Sequence, residues 1–289
     1  TQEGDSIIVP MPNYNGQQQL LANLNRKIIE IPSSETGIDL VRLEQIMQQS
    51  DARCCLLTAN FQNPLGYCLT QQQKEKIADL AATYACTIIE DDIYAECSFS
   101  FQRPLPIQHW DQHGYVILCS SISKSLSSAY RVGWYCLPER YKHLHSKLMM
   151  HTVTVNTPLQ LGLADLIYSR AYREHLQQLR PKLRSQVQAY RDYLLQAFAG
   201  VEIKINLPEG GYSLWIQLPD QIDSMACYYF AQQHQINIVP GEVFGEDRRY
   251  QHFIRLNAGY PLSRDICQAI QLLADWVKQQ INIKIGEET

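Results

Sequence analysis

Short apolar, β-branched runs recur through the first half of the chain at residues 7–9, 27–31, 53–58, 86–90 and 115–120. Between the first four lie segments with helical spacing. In residues 71–84, for example, Ile77, Leu80, Ala81 and Tyr84 fall on one face, and Thr70 stands where an N-cap belongs. Apolar strands alternating with amphipathic helices predict an α/β fold, a largely parallel sheet covered on both faces. From Pro138 to about Ala199 the pattern turns helical, and Pro181 is expected to kink or break the long segment beginning at Tyr172. Strands at 201–205 and 212–217, a helix ending near His234, strands at 236–239 and 253–257, and a helix over 264–280 follow. We read these as a smaller α+β domain, dividing the chain into a large domain (1–180) and a small one (181–289).

Composition narrows the function. The 289 residues carry 25 basic and 29 acidic side chains, a net charge of −4, so no general excess of cations is present to neutralise a nucleic-acid backbone. Nine cysteines are scattered, with no Cys-x-x-Cys pair, which reads as a reduced cytoplasmic protein rather than a disulfide or zinc framework. No apolar run reaches bilayer-spanning length, so no membrane partner is expected. His143, His145 and His151 lack paired ligands, and we expect no metal site. Phosphate-binding glycine fingerprints are missing too. The glutamine runs 17–19 and 71–73 read as solvated helix faces, and so does the basic stretch 180–191. Trp134, Trp215 and Trp276 read as packing residues.

Three polar clusters directly follow predicted strands: Asn60-Phe-Gln-Asn-Pro-Leu-Gly66, Asp91-Asp-Ile-Tyr94, and Ser120-Ser-Ile-Ser-Lys124 with Arg131 beyond it. In a parallel sheet the carboxyl ends of the strands share one edge, where ligands bind. An amide, a carboxylate, a phenol, an amine and a guanidinium would therefore converge. A lysine amine can form a Schiff base with an aldehyde, a carboxylate can keep a pyridinium protonated, and an arginine among serine hydroxyls suits a phosphate ester. These are the requirements of pyridoxal 5′-phosphate. Each cluster also has a plainer reading: a surface lysine, an Asp91–Asp92 turn cap, an Asn-Pro turn, a core tyrosine at Tyr14, an ordinary ion-pair arginine at Arg255.

Asn63-Pro-Leu-Gly66, Asp91-x-x-Tyr94, Ser121-Ile-Ser-Lys124 and Arg131-Val-Gly133, in that order, resemble the class I/II aminotransferases, proteins of fold type I. The likeness runs from Gly4-Asp5 and Pro12-Asn-Tyr14 to Phe253-Ile-Arg255. Its wording is most similar to the effector domain of MocR-type regulators of the GntR class, which join a winged-helix DNA reader to an aminotransferase-like domain. The resemblance implies that Lys124 bonds the cofactor aldehyde and that Asp91 pairs with the pyridine nitrogen. Asn63 and Tyr94 would meet the phenolic oxygen, Tyr14 would stack on the ring, and Ser121, Ser123 and Arg131 would hold the phosphate. Arg255 would take a substrate carboxylate, so the expected small partner is an amino acid or another amino compound bearing one. A homodimer is implied as well, with DNA contacted only through an upstream module. Ser127-Ser-Ala-Tyr130 departs from the family's expected Pro and Gly. The stretch expected before Gly4 is absent, and the opening Thr1-Gln-Glu-Gly-Asp5 reads as the middle of a protein. Two roles follow: the sensory domain of a regulator, or a working aminotransferase. A third is an association domain that has lost the cofactor.

Overall fold

The computed structural model describes residues 1–152 and 156–287. The strands β1 (Ser6–Met11), β2 (Lys27–Ser34), β3 (Gly37–Ile38), β4 (Cys54–Leu57), β5 (Thr87–Asp91), β6 (Val116–Ser121) and β7 (Gly133–Cys136) form one sheet in the order β3-β2-β1-β4-β5-β6-β7. The β1–β2, β1–β4, β4–β5 and β5–β6 pairings are parallel, while β3 and β7 run antiparallel at the two edges. The central strands β1, β4, β5 and β6 are each built around a short run of Ile, Val, Leu or Cys. Such runs suit a sheet buried on both faces, and Ile8, Cys55 and Ile88 are fully buried.

Helices α1 (Asn15–Asn23), α2 (Leu40–Gln49) and α3 (Gln71–Thr83) provide the crossovers. The start of α3 is fixed by a complete capping box. Gln73 N–H donates to the Thr70 hydroxyl, and the Gln73 side chain accepts from Thr70 N–H. Ile77, Leu80 and Ala81 then reach the core around Ile8, Leu57 and Ile88. The strands β1, β4, β5 and β6 match the sequence pattern to within a residue or two, but β7 was not legible in it. It is an exposed edge strand, and its Trp134 is 39% exposed. The expectation that Trp134 packs in a core is therefore wrong. Trp215 (4% exposed) and the Trp276 ring stacked on Phe230 do pack.

Beyond β7 come α4 (Leu144–Thr152), α5 (Thr157–Tyr168) and α6 (Arg170–Ala197). Helix α6 runs through Pro181 as one element, so of the expected kink or break the break does not occur. One lost backbone donor is outweighed by a buried stripe of Leu176, Leu183, Val187, Tyr190 and Leu194 along the helix. Arg180 also departs from the solvated-face reading. It is buried and donates to Glu96 O, to the Glu96 carboxylate (2.9 Å) and to Phe101 O (2.6 Å).

A second, antiparallel sheet is built from β8 (Lys204–Ile205), β9 (Ser213–Gln217), β10 (Val239–Pro240) and β11 (Phe253–Asn257), in the order β10-β11-β9-β8. Helix α7 (Ser224–Gln233) and helix α8 (Arg264–Glu287) complete the chain. Leu214 and Ile216 of β9, Ile254 of β11, Ala274 of α8 and the C-terminal half of α6 share a separate core. All nine cysteines are free. Among the described residues no helix is long and apolar enough to cross a membrane.

Candidate active site

Strands β1, β4, β5 and β6 are neighbours and parallel, so the segments that leave their carboxyl ends share one edge of the sheet. Tyr14 follows β1, Asn63 follows β4, Asp91 ends β5 with Tyr94 just beyond, and Ser121 ends β6 with Ser123 and Lys124 beyond. Arg131 arrives from the other direction. It sits two residues before Gly133, which pairs with Ser121 across the β6–β7 ladder. Arg131 holds a left-handed backbone (φ 53°) at the end of the 3₁₀ turn over residues 128–130. No ion pair involves it among the described residues.

Asp91 lies at the centre. Its Oδ2 accepts from Gln17 Nε2 (2.8 Å) and its Oδ1 from Ile93 N–H (3.3 Å). Burial pushes its carboxyl up to about 6, although these two donors pull it down and Lys124 adds attraction. Gln17 is oriented in turn by Asn13 Nδ2, which donates to its Oε1 (2.9 Å). The solvated-face reading of the 17–19 run therefore fails at Gln17. It sits on the inner side of α1, a placement that composition alone does not reveal.

Lys124 Nζ lies 5.5 Å from the centre of the Tyr94 ring and has neither an ion pair nor a hydrogen bond among the described residues. Tyr94 is buried, and burial pushes its phenol up while Arg255 pulls it back. Tyr212 meets Tyr94 edge-on at 5.6 Å. Asn63 Oδ1 accepts from Ser213 Oγ (3.3 Å), leaving the Asn63 amide nitrogen with no partner among the described residues. Tyr14 is 45% exposed, which excludes the core reading, and its ring covers Gly16. Ser123 N–H donates to Ser121 Oγ (3.2 Å), closing a small turn.

Arg255 enters from the other sheet, on β11 between Val239 and Trp215. Burial draws its guanidinium down, opposed by its attraction to Tyr94, Tyr14 and Tyr212. Its Nε is buried with no acceptor among the described residues. An orphaned guanidinium donor is costly unless an anion meets it, and among the described residues Arg255 has no carboxylate within ion-pair distance. The ordinary ion-pair reading of this residue therefore fails.

The turn carrying Asn63 is held from several sides. Gln62 Nε2 donates to Pro12 O (2.7 Å) and Leu65 N–H to Gln62 Oε1 (2.9 Å). Asn206 donates to Leu65 O (2.9 Å) and accepts from Trp215 N–H (2.9 Å), which ties the turn to the second sheet. Gly66 has φ +79°, and a Cβ there would meet Pro208 at 2.8 Å, so only glycine fits. Asp92 points its bonds elsewhere, accepting from Asn60 Nδ2 (2.7 Å) and pairing with Arg103. Gln17 and Asn206 have no motif of their own, and only the fold brings them to this edge.

This edge thus presents an amine, a half-buried carboxylate held only by uncharged donors, a phenol, and an amide nitrogen and a guanidinium nitrogen without partners among the described residues. The model of the family described as "Aminotransferase class I and II" matches residues 1–265. The chain belongs to that family. Relatives of this aminotransferase-family chain fall into two kinds. It is 34% identical, over 97% of its own length and 60% of the relative's, to the uncharacterized HTH-type transcriptional regulator YdcR of Escherichia coli. It is 28% identical to aromatic-amino-acid aminotransferase 1 of Thermococcus litoralis, over 96% of the chain and 68% of the relative. Among solved structures, kynurenine aminotransferase of Pyrococcus horikoshii in complex with PMP superposes with a TM-score of 0.85 at 26% identity, covering 96% of this chain and 70% of that one. The chain spans 60% and 58% of the lengths of YdcR and of a second E. coli regulator, YjiR. The fold is that of the fold-type I aminotransferases, and it supports pyridoxal phosphate as the cofactor.

Proposed function

We propose that this chain is the pyridoxal-phosphate-binding effector part of a MocR-type transcriptional regulator, sensing the cofactor or an amino compound through Lys124. The observation that carries this reading is the likeness to HTH-type regulators at 34% and 33% identity, against 28% for the aromatic-amino-acid aminotransferase. Pyridoxal phosphate supplies a reactive aldehyde on an electron-withdrawing ring. Lys124 binds that aldehyde through its unpaired amine. Asp91, held by Gln17 and Ile93, keeps a proton on the ring nitrogen, and its isolation from other cations makes that proton its natural partner. Asn63 and Tyr94 donate to the phenolic oxygen with the groups the protein leaves free. Tyr14 covers the ring, and Ser121, Ser123 and Arg131 hold the phosphate. Arg255 orients the amino compound by its carboxylate, which neutralises the orphaned Nε.

In this reading residues 1–180 hold the cofactor and residues 181–289 bring Arg255 to it. The chain works in the cytoplasm as a homodimer and reaches DNA through a module outside it. Exposed apolar side chains along residues 130–168, among them Tyr130, Trp134, Met150, Leu161 and Tyr168, support self-association. A ligand can act on DNA binding only if it binds two states unequally.

A second reading, a working aminotransferase, is favoured by the completeness of the same set. There Lys124 would serve as the general base, taking the substrate's α-carbon proton onto its Nζ. One experiment separates them. The full-length protein is loaded with pyridoxal phosphate and titrated with a panel of amino acids while absorbance and keto-acid release are followed. A spectral response without keto acid is the sensor's signature. Stoichiometric or catalytic keto acid makes the protein a transaminase and overturns the pure sensor.

A further inference from the structure

Away from the Lys124 edge, a cleft of about 820 Å³ opens between the layers built on the two sheets. Its walls come from α3, the loop at residues 98–105, α6, and the loop at residues 207–209. None of Tyr14, Asn63, Asp91, Tyr94, Lys124 or Arg255 lines it. Phe61 forms the partition. It lines the cleft on one side, and Gly211 sits between it and Tyr94 on the other.

The lining has a definite chemistry. Phe99, Leu105, Trp110, Val187 and Leu207 supply an apolar wall. Three cations face a single lining carboxylate, that of Glu209. Arg103 is already neutralised by Asp92 and by Glu96 (3.0 Å). Lys74 is 3% exposed; its Nζ donates to Asn60 Oδ1 (2.7 Å) and Leu105 O (2.8 Å) and is attracted by the Glu90 and Asp92 carboxylates behind it, but it forms no ion pair among the described residues. Arg184, exposed on α6, has no ion pair among the described residues. Arg184, open to the cleft, and Lys74 beneath it, neither in an ion pair among the described residues, stand beside an apolar wall and are complementary to an amphipathic anion.

We propose that this cleft is a second ligand site, taking a small carboxylate with an aryl or alkyl body. The body lies against Phe99, Trp110 and Leu207, and the carboxylate faces Arg184 with Lys74 beneath. Because the walls belong to both layers, the ligand favours the arrangement in which α6 and the 207–209 loop stand against α3. It is an effector site, separate from the chemistry at Lys124. The inference stands whether the Lys124 edge senses or transaminates.

The test is isothermal titration of the full-length, cofactor-loaded protein with 4-phenylbutanoate, with 4-phenylbutylamine and 4-phenylbutanol as charge controls. The carboxylate is expected to bind at least about tenfold tighter than either control, a difference of about 1.4 kcal/mol. Arg184→Glu is expected to weaken it about tenfold or more. Leu207→Trp, at a 66% exposed position that tolerates bulk, is expected to fill the cleft and abolish binding while the cofactor absorbance is unchanged. Arg255→Ala is expected to leave binding intact. Equal affinity for the three compounds, no binding up to about 10 mM, or binding lost in Arg255→Ala but kept in Arg184→Glu would each overturn the proposal.

Discussion

Asp91 and Lys124 attract each other in a site where neither has another partner of opposite charge among the described residues, and that isolation is what makes them separable by mutation. Lys124→Ala is expected to abolish the visible absorbance of the lysine-bound cofactor and to leave the thermal midpoint of the cofactor-free protein within about 2 °C, since Lys124 has no ion pair to lose. Gln17→Leu removes the donor to Asp91 Oδ2, so the Asp91 carboxyl should rise further above about 6. Cofactor affinity should then fall about ten- to a hundredfold, from the loss of about 1.5–3 kcal/mol for one hydrogen bond to a charged group, read from absorbance titration at pH 7. Lys124 and Asp91 were legible because strand-end position and residue type coincide. Gln17 was not, because one glutamine in a run of three looks like its neighbours until the helix is placed. Arg255 was legible as a residue, but its orphaned Nε belongs to packing and not to sequence.

At the scale of elements, the turn after β4 shows how two sheets share one site. Asn206, only 1% exposed, is the link, and truncating it strands Trp215 N–H and Leu65 O in the interior. Asn206→Ala should cost about 2–4 kcal/mol in urea unfolding and should weaken cofactor binding through Asn63. The end of β5 carries a further buried carboxylate, Glu90, which accepts from Ile107 N–H (2.8 Å) and Gln108 N–H (3.1 Å). Burial and Asp92 nevertheless push it up to about 8 from an ordinary 4.5. Between those values the native protein binds more protons than the unfolded chain, so this group's contribution makes stability fall as pH rises, and the fall levels off above about 8. Unfolding free energies at pH 6 and pH 9, from urea titration, should differ by about 1–3 kcal/mol on this account, and Glu90→Gln should flatten the difference. The parallel strands and α3 were readable from periodicity and a cap. Strand β7 was not, because four exposed residues carry no burial pattern. The continuity of α6 was not, because a proline's local cost is visible in sequence while the tertiary packing that offsets it is not.

For the whole molecule, the family and its order of motifs were readable, whereas the partition of function was not. The same edge of the same sheet serves proteins named as regulators and proteins named as aminotransferases. What distinguishes them lies in turnover and in what the rest of the protein does. If the sensor reading holds, cofactor-loaded full-length protein should change its DNA affinity by about five- to 150-fold with the effective amino compound, and Arg255→Ala should remove that response while DNA binding without ligand persists. Fluorescence anisotropy on a labelled promoter fragment measures both.

The outer edge of β7 has a practical consequence. Its outward N–H and C=O groups run beside Trp134 and Tyr135, each more than a third exposed. No charge, proline or bulge interrupts Gly133–Cys136. Such an edge recruits any extended strand it meets, including its own copy in another molecule. Light scattering from this 289-residue chain alone should therefore grow with concentration, and a lysine at Tyr135 should suppress that growth by charging the edge.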